Sequence, residues 1–254
     1  MNSISILGAG WLGKELAVSF TEDGFSVKVS TTSEKKVPVL EALGFDTFIV
    51  DIETYEEFDD FLNSDILIIA ITSKDIDAFE RLISQIKYSP IQKIILVSST
   101  GVYQAKNKVV TEQDSVPNSS LVTIENLFKE STFFETTIVR FGGLFGGERH
   151  PANWFKDGKK IPQPNGYVNM IHRDDCIEII HEIIAQNCWN DTFNACASHH
   201  PTRREYYTLA KLSKGFQVPE FEEHQPDKWK IISSKKLENT LHYKFIHNDL
   251  LKPY

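Results

Sequence analysis

The chain is short of cysteine, of net positive charge and of long apolar runs. Three cysteines, Cys176, Cys188 and Cys196, stand among 254 residues. Their spacing fits no metal motif and suggests no disulfide framework, so buried thiols in a reducing cytoplasm are expected. Lys and Arg number 27 against 35 Asp and Glu, a formal net charge of −8. That balance argues against a general nucleic-acid binder, which carries a basic face. No apolar stretch approaches membrane-spanning length, and the first apolar run lacks the cleavage site of a secretory signal. Repeats and low-complexity tracts are missing as well. What remains, 41% hydrophobic and 24% charged residues, is ordinary for a globular protein. The length suffices for one large core, or for one domain with a smaller lobe.

The strongest positive signal lies in the first thirteen residues. Ile4-Ser5-Ile6-Leu7 reads as a strand, Gly8-Ala9-Gly10-Trp11-Leu12-Gly13 follows at once, and Lys14–Val18 reads as a helix. Strand, G-x-G-x-x-G, helix is the fingerprint of a dinucleotide-binding fold. Gly8 permits the tight turn, Gly10 lets a pyrophosphate approach the backbone, and Gly13 lets the helix pack closely on the sheet. The N–H groups and positive dipole end of the helix, from Trp11 and Leu12 onward, then face the phosphates.

Further β-rich runs recur with helical stretches between them. Strands are expected at Ser3–Leu7, Ser26–Ser30, Thr47–Val50, Ile66–Ile71, Lys93–Ser98 and Thr137–Arg140. Helices are expected at Leu12–Asp23, Lys36–Leu43, Tyr55–Leu62, Ile76–Lys87 and Ser120–Phe133, with Gly24 and Gly44 as C-terminal stops. Continuous apolar strands suit a parallel sheet covered on both faces, and the alternation predicts an α/β, doubly wound domain over residues 1–142. Beyond it the texture changes. Glycines and prolines punctuate Phe141–Gly166, and then a helix at Ile177–Ala185, a strand at Thr192–Ala195, a helix at Arg203–Lys214 and a small element at Trp229–Leu251 are expected. Residues 143–254 read as a small discontinuous substrate-binding cap, with the stretch around 171–197 returning to the first domain and a ligand cleft between the two.

The end of the second strand separates NAD from NADP. A carboxylate there accepts from the ribose 2′-OH of NAD. Here the residues are Ser30-Thr31-Thr32-Ser33, with Lys35 and Lys36 close behind. Hydroxyls and ammonium groups suit a 2′-phosphate, which favours NADP, with NAD as the alternative. Asp51, just past the third strand, is placed either to accept from the adenine amino group or to cap the helix that starts near Thr54.

At this point the chain resembles the short-chain dehydrogenase/reductase superfamily, in its extended and atypical branch of nucleoside-diphosphate-sugar epimerase-like, Rossmann-type proteins. The resemblance spans nearly the whole chain. It rests on Gly8–Gly13, Val50-Asp51, Ser98-Ser99-Thr100-Gly101-Val102-Tyr103, Arg140-Phe141-Gly142-Gly143-Leu144-Phe145-Gly146, Ile171-His172-Arg173-Asp174-Asp175 and Phe193-Asn194-Ala195. It implies cofactor contacts from Ser98, Phe141, Gly142 and Gly143, and a cytoplasmic protein acting on a nucleotide sugar or carbonyl compound. A homodimer is compatible with it. Family enzymes use a Ser/Thr, a Tyr that moves a proton during hydride transfer, and a Lys that lowers the Tyr pKa. Ser99 matches the first. The helix that should open with Tyr-x-x-x-Lys instead begins Asn118-Ser119-Ser120-Leu121-Val122-Thr123, with Ser119 and Thr123 near the two places.

Substitutes for the missing pair are few. Tyr103 is either a replacement phenol or an aromatic wall. His172 is either an acid–base group or a fastener of the cap. Asp174 or Asp175 reads as a cap for the next helix. Tyr207 and Lys211 form a Tyr-x-x-x-Lys in the wrong helix and read as coincidence. Trp154 and Phe155 belong to a pocket or to the cap core, and Arg149-His150 and Lys159-Lys160 to exposed loops. His199-His200 has no companion ligands, and no metal is expected. Two functions stay open: an oxidoreductase or epimerase/dehydratase-like enzyme using Ser99 and a non-standard acid, or a non-catalytic NADP(H) sensor or interaction protein.

Overall fold

A computed structural model describes residues 3–54, 56–155, 158–223 and 228–252. In chain order the elements are β1 (Ser3–Leu7), α1 (Gly13–Glu22), β2 (Ser26–Thr31), α2 (Val37–Glu41), β3 (Asp46–Ile49), α3 (Asp59–Leu62), β4 (Ile66–Ile69), α4 (Ile76–Ile86), β5 (Lys93–Ser99), β6 (Lys108–Val110), α5 (Ser120–Glu130), β7 (Glu135–Phe141), β8 (Gly143–Phe145), β9 (Met170–His172), α6 (Arg173–Ala185), β10 (Thr192–Ala195), α7 (Arg203–Ser213), β11 (Lys230–Ile232) and α8 (Lys235–Leu241). Seven strands form the central sheet in the order β10-β7-β5-β4-β1-β2-β3. The β4–β5, β1–β4, β1–β2 and β2–β3 pairs are parallel. The order reverses direction at β1, as a doubly wound α/β fold requires.

The pleat explains why β1, β4 and β5 read as unbroken apolar runs. Side chains alternate between faces along a strand. Leu7, Leu67, Ile69, Ile94 and Leu96 share one buried cluster with Phe79 and Leu82 of α4 and Ile124 and Phe128 of α5. Ile6 points the other way, toward Gly13 of α1. Both faces are therefore covered, and period-2 alternation of polar and apolar residues is lost. Ser5 is tolerated at 0% exposure because its hydroxyl donates to the Phe61 carbonyl at 2.5 Å. Gly24 and Gly44, at φ +85° and +88°, follow α1 and α2, in the left-handed conformation that glycine adopts without steric cost.

Contacts divide the chain into two units. The first holds Met1–Ser98, Asn118–Val139 and Ile183–Thr192, and the second holds Ser99–Pro117, Arg140–Glu182 and Phe193–Tyr254. The second unit has its own core of Phe145, Ile161, Val168, Met170, Tyr206, Tyr207 and Phe221, with Trp154 and Phe155 packed against it. Its two small sheets, β8–β9 and β6–β11, have three-residue strands. Such strands offer few ladder bonds, and buried polar groups take over. Asp175, at 0% exposure, accepts from Tyr243 Oη at 2.8 Å, Ile246 N at 2.7 Å and His247 N at 3.1 Å. Ser198 N donates to Asn248 Oδ1 at 2.7 Å, and His199 Nδ1 lies 2.9 Å from Asp249 Oδ1. The C-terminal segment is thus strapped down by carboxylate and amide oxygens.

Several expectations need correction. α3 runs over Asp59–Leu62 only, and Tyr55, the expected start of that helix, lies outside the described residues. Asp51 caps a turn instead of a helix, its Oδ1 accepting from Glu53 N at 3.0 Å. α6 begins at Arg173, so Asp174 and Asp175 sit within its first turn. Asp175 is the anchor of the C-terminal segment, while the Asp174 N–H donates to His172 Nδ1 at 3.2 Å. Cys176 and Cys196 are buried, but Cys188 is only partly so. Among the described residues, no helix is long and apolar enough to cross a membrane.

Replacing Asp175 with Ala strands three donors of the C-terminal segment, and each unsatisfied buried group costs about 1–3 kcal/mol. Asp175→Ala is expected to lose about 3 kcal/mol or more of unfolding free energy in urea denaturation, with Asp175→Asn losing less.

Candidate functional site

In the first unit the glycine loop is built by steric necessity. Gly8 has φ +100°, and a Cβ placed on it would stand 2.6 Å from Ile71 Cγ2. A Cβ on Gly13 would stand 2.1 Å from the Gly8 carbonyl oxygen. No side chain fits at either place. Gly10 differs, since a Cβ there would meet nothing within 4 Å. The protein's own packing does not demand glycine at position 10, so the open space above it is free for a ligand. The loop is gripped from β2: Gly8 N donates to Ser30 Oγ at 2.9 Å, and Ala9 N to the Ser30 carbonyl at 2.7 Å.

α1 opens from this loop without a side-chain cap, because its N-cap residue, Leu12, has no acceptor. α4, α5 and α7 each carry one, in Asp75, Ser119 and Thr202. An uncapped helix N-terminus behind a glycine turn is an anion site in waiting. A dinucleotide pyrophosphate fits this cradle on three counts: the open Gly10 face, the close-packed Gly8 and Gly13, and the uncapped helix end.

Along the β2 end the expected residues separate into two groups. Ser30 is 1% exposed with its hydroxyl spent on Gly8, and Thr31 Oγ1 accepts from Ser33 N at 3.1 Å. Thr32, Lys35 and Lys36 are exposed, the lysines on a single 3-10 turn over Glu34–Lys36. Ser98, 7% exposed, donates to Glu125 Oε1 of α5 at 2.6 Å. Ser119, near the place of the absent Tyr, spends its hydroxyl capping α5 by accepting from Val122 N at 3.3 Å.

In the second unit, Ser99 is exposed and its Oγ accepts from Gly101 N at 3.0 Å, capping the turn over Thr100–Val102. Tyr103 is 3% exposed. Its hydroxyl donates to Asn194 Oδ1 at 2.9 Å and accepts from Arg140 at 2.6 Å. Burial raises the phenol above its usual pKa, against the lowering pull of the Arg140 charge. Asn194 N in turn donates to Glu112 Oε1 at 2.7 Å. The loop holding Ser99 and Tyr103 is pinned by Lys230, which donates to the carbonyls of Thr100 at 2.8 Å and Tyr103 at 2.5 Å. Burial lowers the Lys230 pKa.

Phe141 and Gly142 are buried. A Cβ on Gly142 would meet Asn169 O and Cys196 Sγ at 2.6 Å, and one on Gly143 would meet Met170 Sδ at 2.5 Å. These glycines let β8 lie against β9. His172, 8% exposed, is 3.3 Å from Asp174 Oδ2, with its ring edge-on to Phe145 and 3.8 Å, centroid to centroid, from that of His247. Burial lowers its pKa, aided by His247. Tyr207 and Lys211 are both buried, Lys211 facing the Phe155 carbonyl at 3.4 Å, and serve the core of this unit.

Sequence reading missed Lys230, Arg140, Asn194 and Glu125 as partners of the site. Arg140 left a trace, being a charge in the apolar run Ile138-Val139-Arg140-Phe141, whereas Glu125 is one of several charges in α5. Lys230 left none, because its targets are backbone carbonyls 130 and 127 residues earlier.

With the geometry in place, known proteins give context. Residues 8–187 match a family described as NAD(P)H-binding. Protein YeeZ of Escherichia coli (strain K12) is 28% identical over 270 residues, covering 99% of this chain and 98% of that protein. A short-chain dehydrogenase/reductase superfamily protein from Agrobacterium tumefaciens, with bound NAD, superposes with a TM-score of 0.80 at 14% identity, covering 98% of this chain and 94% of the other. UDP-glucuronic acid 4-epimerase from Bacillus cereus, in complex with NAD, gives 0.79 at 16% identity, covering 98% and 96%. At these identities the structural likeness is one of fold.

Tyr103→Phe removes a partner from Arg140 and Asn194 and is expected to cost about 1–3 kcal/mol of stability in chemical denaturation. Gly13→Ala is expected to lower NAD(P)H affinity at least tenfold by nicotinamide fluorescence, because the new methyl must displace the Gly8 turn.

Proposed function

Because the chain belongs to the NAD(P)H-binding family that residues 8–187 match, we propose that it is an NADP(H)-preferring oxidoreductase or epimerase/dehydratase-like enzyme. The observation that carries the cofactor reading is the cradle of Gly8, Gly10 and Gly13 before the uncapped α1. The NADP preference rests on the residues just after β2. No carboxylate stands directly at the end of that strand, and the exposed Thr32, Lys35 and Lys36 are the groups offered to a 2′-phosphate. Ser30 and Thr31 act through the backbone, holding the loop and the turn. Asp51 is assigned to the adenine end.

When bound, the nicotinamide gives or takes a hydride. The chain's own part is to bind and orient. The Ser99 hydroxyl donates to a substrate carbonyl or hydroxyl oxygen, and Tyr103 positions its loop through Arg140 and Asn194. The substrate class is a carbonyl compound or nucleotide sugar held by the cap of residues 143–254. A reducing cytoplasm suits its free thiols. A second reading, a non-catalytic NADP(H) sensor, is favoured by Ser119, whose helix-capping hydroxyl supplies no proton-transfer group near the family's Tyr position.

Titrating the protein with NADPH and NADH, by nicotinamide fluorescence and calorimetry, tests the cofactor reading. NADPH is expected to bind about tenfold or more tighter, and the Lys35→Gln/Lys36→Gln pair to erase that preference, a change of about 1.4 kcal/mol per tenfold. Binding of neither dinucleotide would overturn it. In a screen of carbonyl and sugar-nucleotide compounds, turnover lost in Ser99→Ala supports the enzyme. NADPH-dependent association with a partner, without turnover, supports the sensor.

A further inference from the structure

We propose that His172, Asp174 and His247 form a site for a divalent transition-metal ion of the zinc type. Their ligand atoms lie within 4.8 Å of one another. Asp174 Oδ2 stands 3.3 Å from His172 Nδ1 and 3.2 Å from His247 Nε2. Zinc bonds of about 2.0–2.2 Å in tetrahedral geometry put neighbouring ligand atoms about 3.3–3.5 Å apart. The two separations are close to that edge length. Two imidazoles and one carboxylate are a common three-ligand set, and they leave a fourth position for water. Nitrogen-rich donors select zinc, copper, nickel or cobalt over magnesium or calcium, which take oxygen.

The electronics of the cluster point the same way. The Asp174 N–H donates to His172 Nδ1 at 3.2 Å. In that arrangement the Nδ1 lone pair is engaged by the N–H, and the Asp174 carboxylate oxygen stands 3.3 Å away. A cation at this edge takes both atoms as ligands. The ion takes over the Nδ1 lone pair, so the N–H contact is given up on binding.

The ligands are also held in advance. Phe145 packs edge-on against the His172 ring, and Gly146 lies so close that a Cβ there would touch Nε2 at 2.5 Å. His247 is placed by the bonds of Ile246 N and His247 N to Asp175. Asp174 is half exposed, which gives an ion and its water a way in. Arg173, the adjacent cation, is directed toward Glu148 at 3.7 Å. Asp174 and His247 are 73 residues apart, so a bound ion clamps the C-terminal segment onto the start of α6. The pattern was invisible in the sequence because His172-x-Asp174 has no third ligand nearby.

The test uses untagged, full-length protein stripped with chelator and dialysed, titrated with Zn2+ by calorimetry and with Co2+ by visible absorbance. One equivalent of Zn2+ is expected, with Co2+ showing the intense bands of a tetrahedral site. Loss of an outer partner alone costs 10–100-fold in metal affinity, so His247→Gln is expected to weaken binding by about 100-fold or more and to abolish the bands. Asp174→Asn, at an exposed position that leaves the fold intact, is expected to do the same, whereas His199→Gln leaves binding unchanged. The proposal fails if the wild type shows no saturable binding, or if binding survives in Asp174→Asn, or if it depends on His199.

Discussion

Of the glycines, the tightest packing is at the first residue of α1, against the turn before it. A methyl group on Gly13 would reach within 2.1 Å of the Gly8 carbonyl. That crossing fixes the direction of α1 from its first turn, and with it the direction of the N-terminal dipole. Ser30 completes the arrangement from the neighbouring strand by taking the Gly8 N–H. The glycine turn and the register of β1 against β2 are therefore two aspects of one packing constraint.

The second unit is held by a different kind of force. Its strands are too short for ladder bonds to dominate, and it relies on buried or half-buried polar side chains with several partners each. Asp175 gathers the C-terminal segment, Lys230 gathers the loop after β5, and Tyr103 joins Arg140 to Asn194. Such anchors are geometrically demanding, because a partly satisfied one is costly. They give a loop-rich unit defined positions for Ser99 and His172.

Much of the first unit was legible because its constraints are local. β1 at Ser3–Leu7 follows directly from a run of apolar residues ended by glycine, and the helix expected at Ile76–Lys87 is α4, Ile76–Ile86. Boundaries slipped where a local signal was ambiguous. Asp174 and Asp175 resemble helix caps in sequence, but the histidine before them takes the Asp174 N–H and the helix starts earlier. The three-residue strands β6, β8, β9 and β11 are too short for any period to register.

The candidate site divides along the same line. The glycine cradle and the lysines after β2 are dictated by their own short segments, where backbone conformation and charge depend on neighbours in the chain. Sequence alone therefore determined the α/β class, the glycine loop after β1 and the lack of a Tyr–Lys pair at the start of α5. Only the tertiary structure decided how the polar groups are spent. Ser30 belongs to Gly8, Ser98 to Glu125, Ser119 to its own helix, and His172 to Asp174 and His247. The physical reason is that a side-chain hydrogen bond needs partners within about 3 Å, and most of those partners are supplied by parts of the chain tens of residues away.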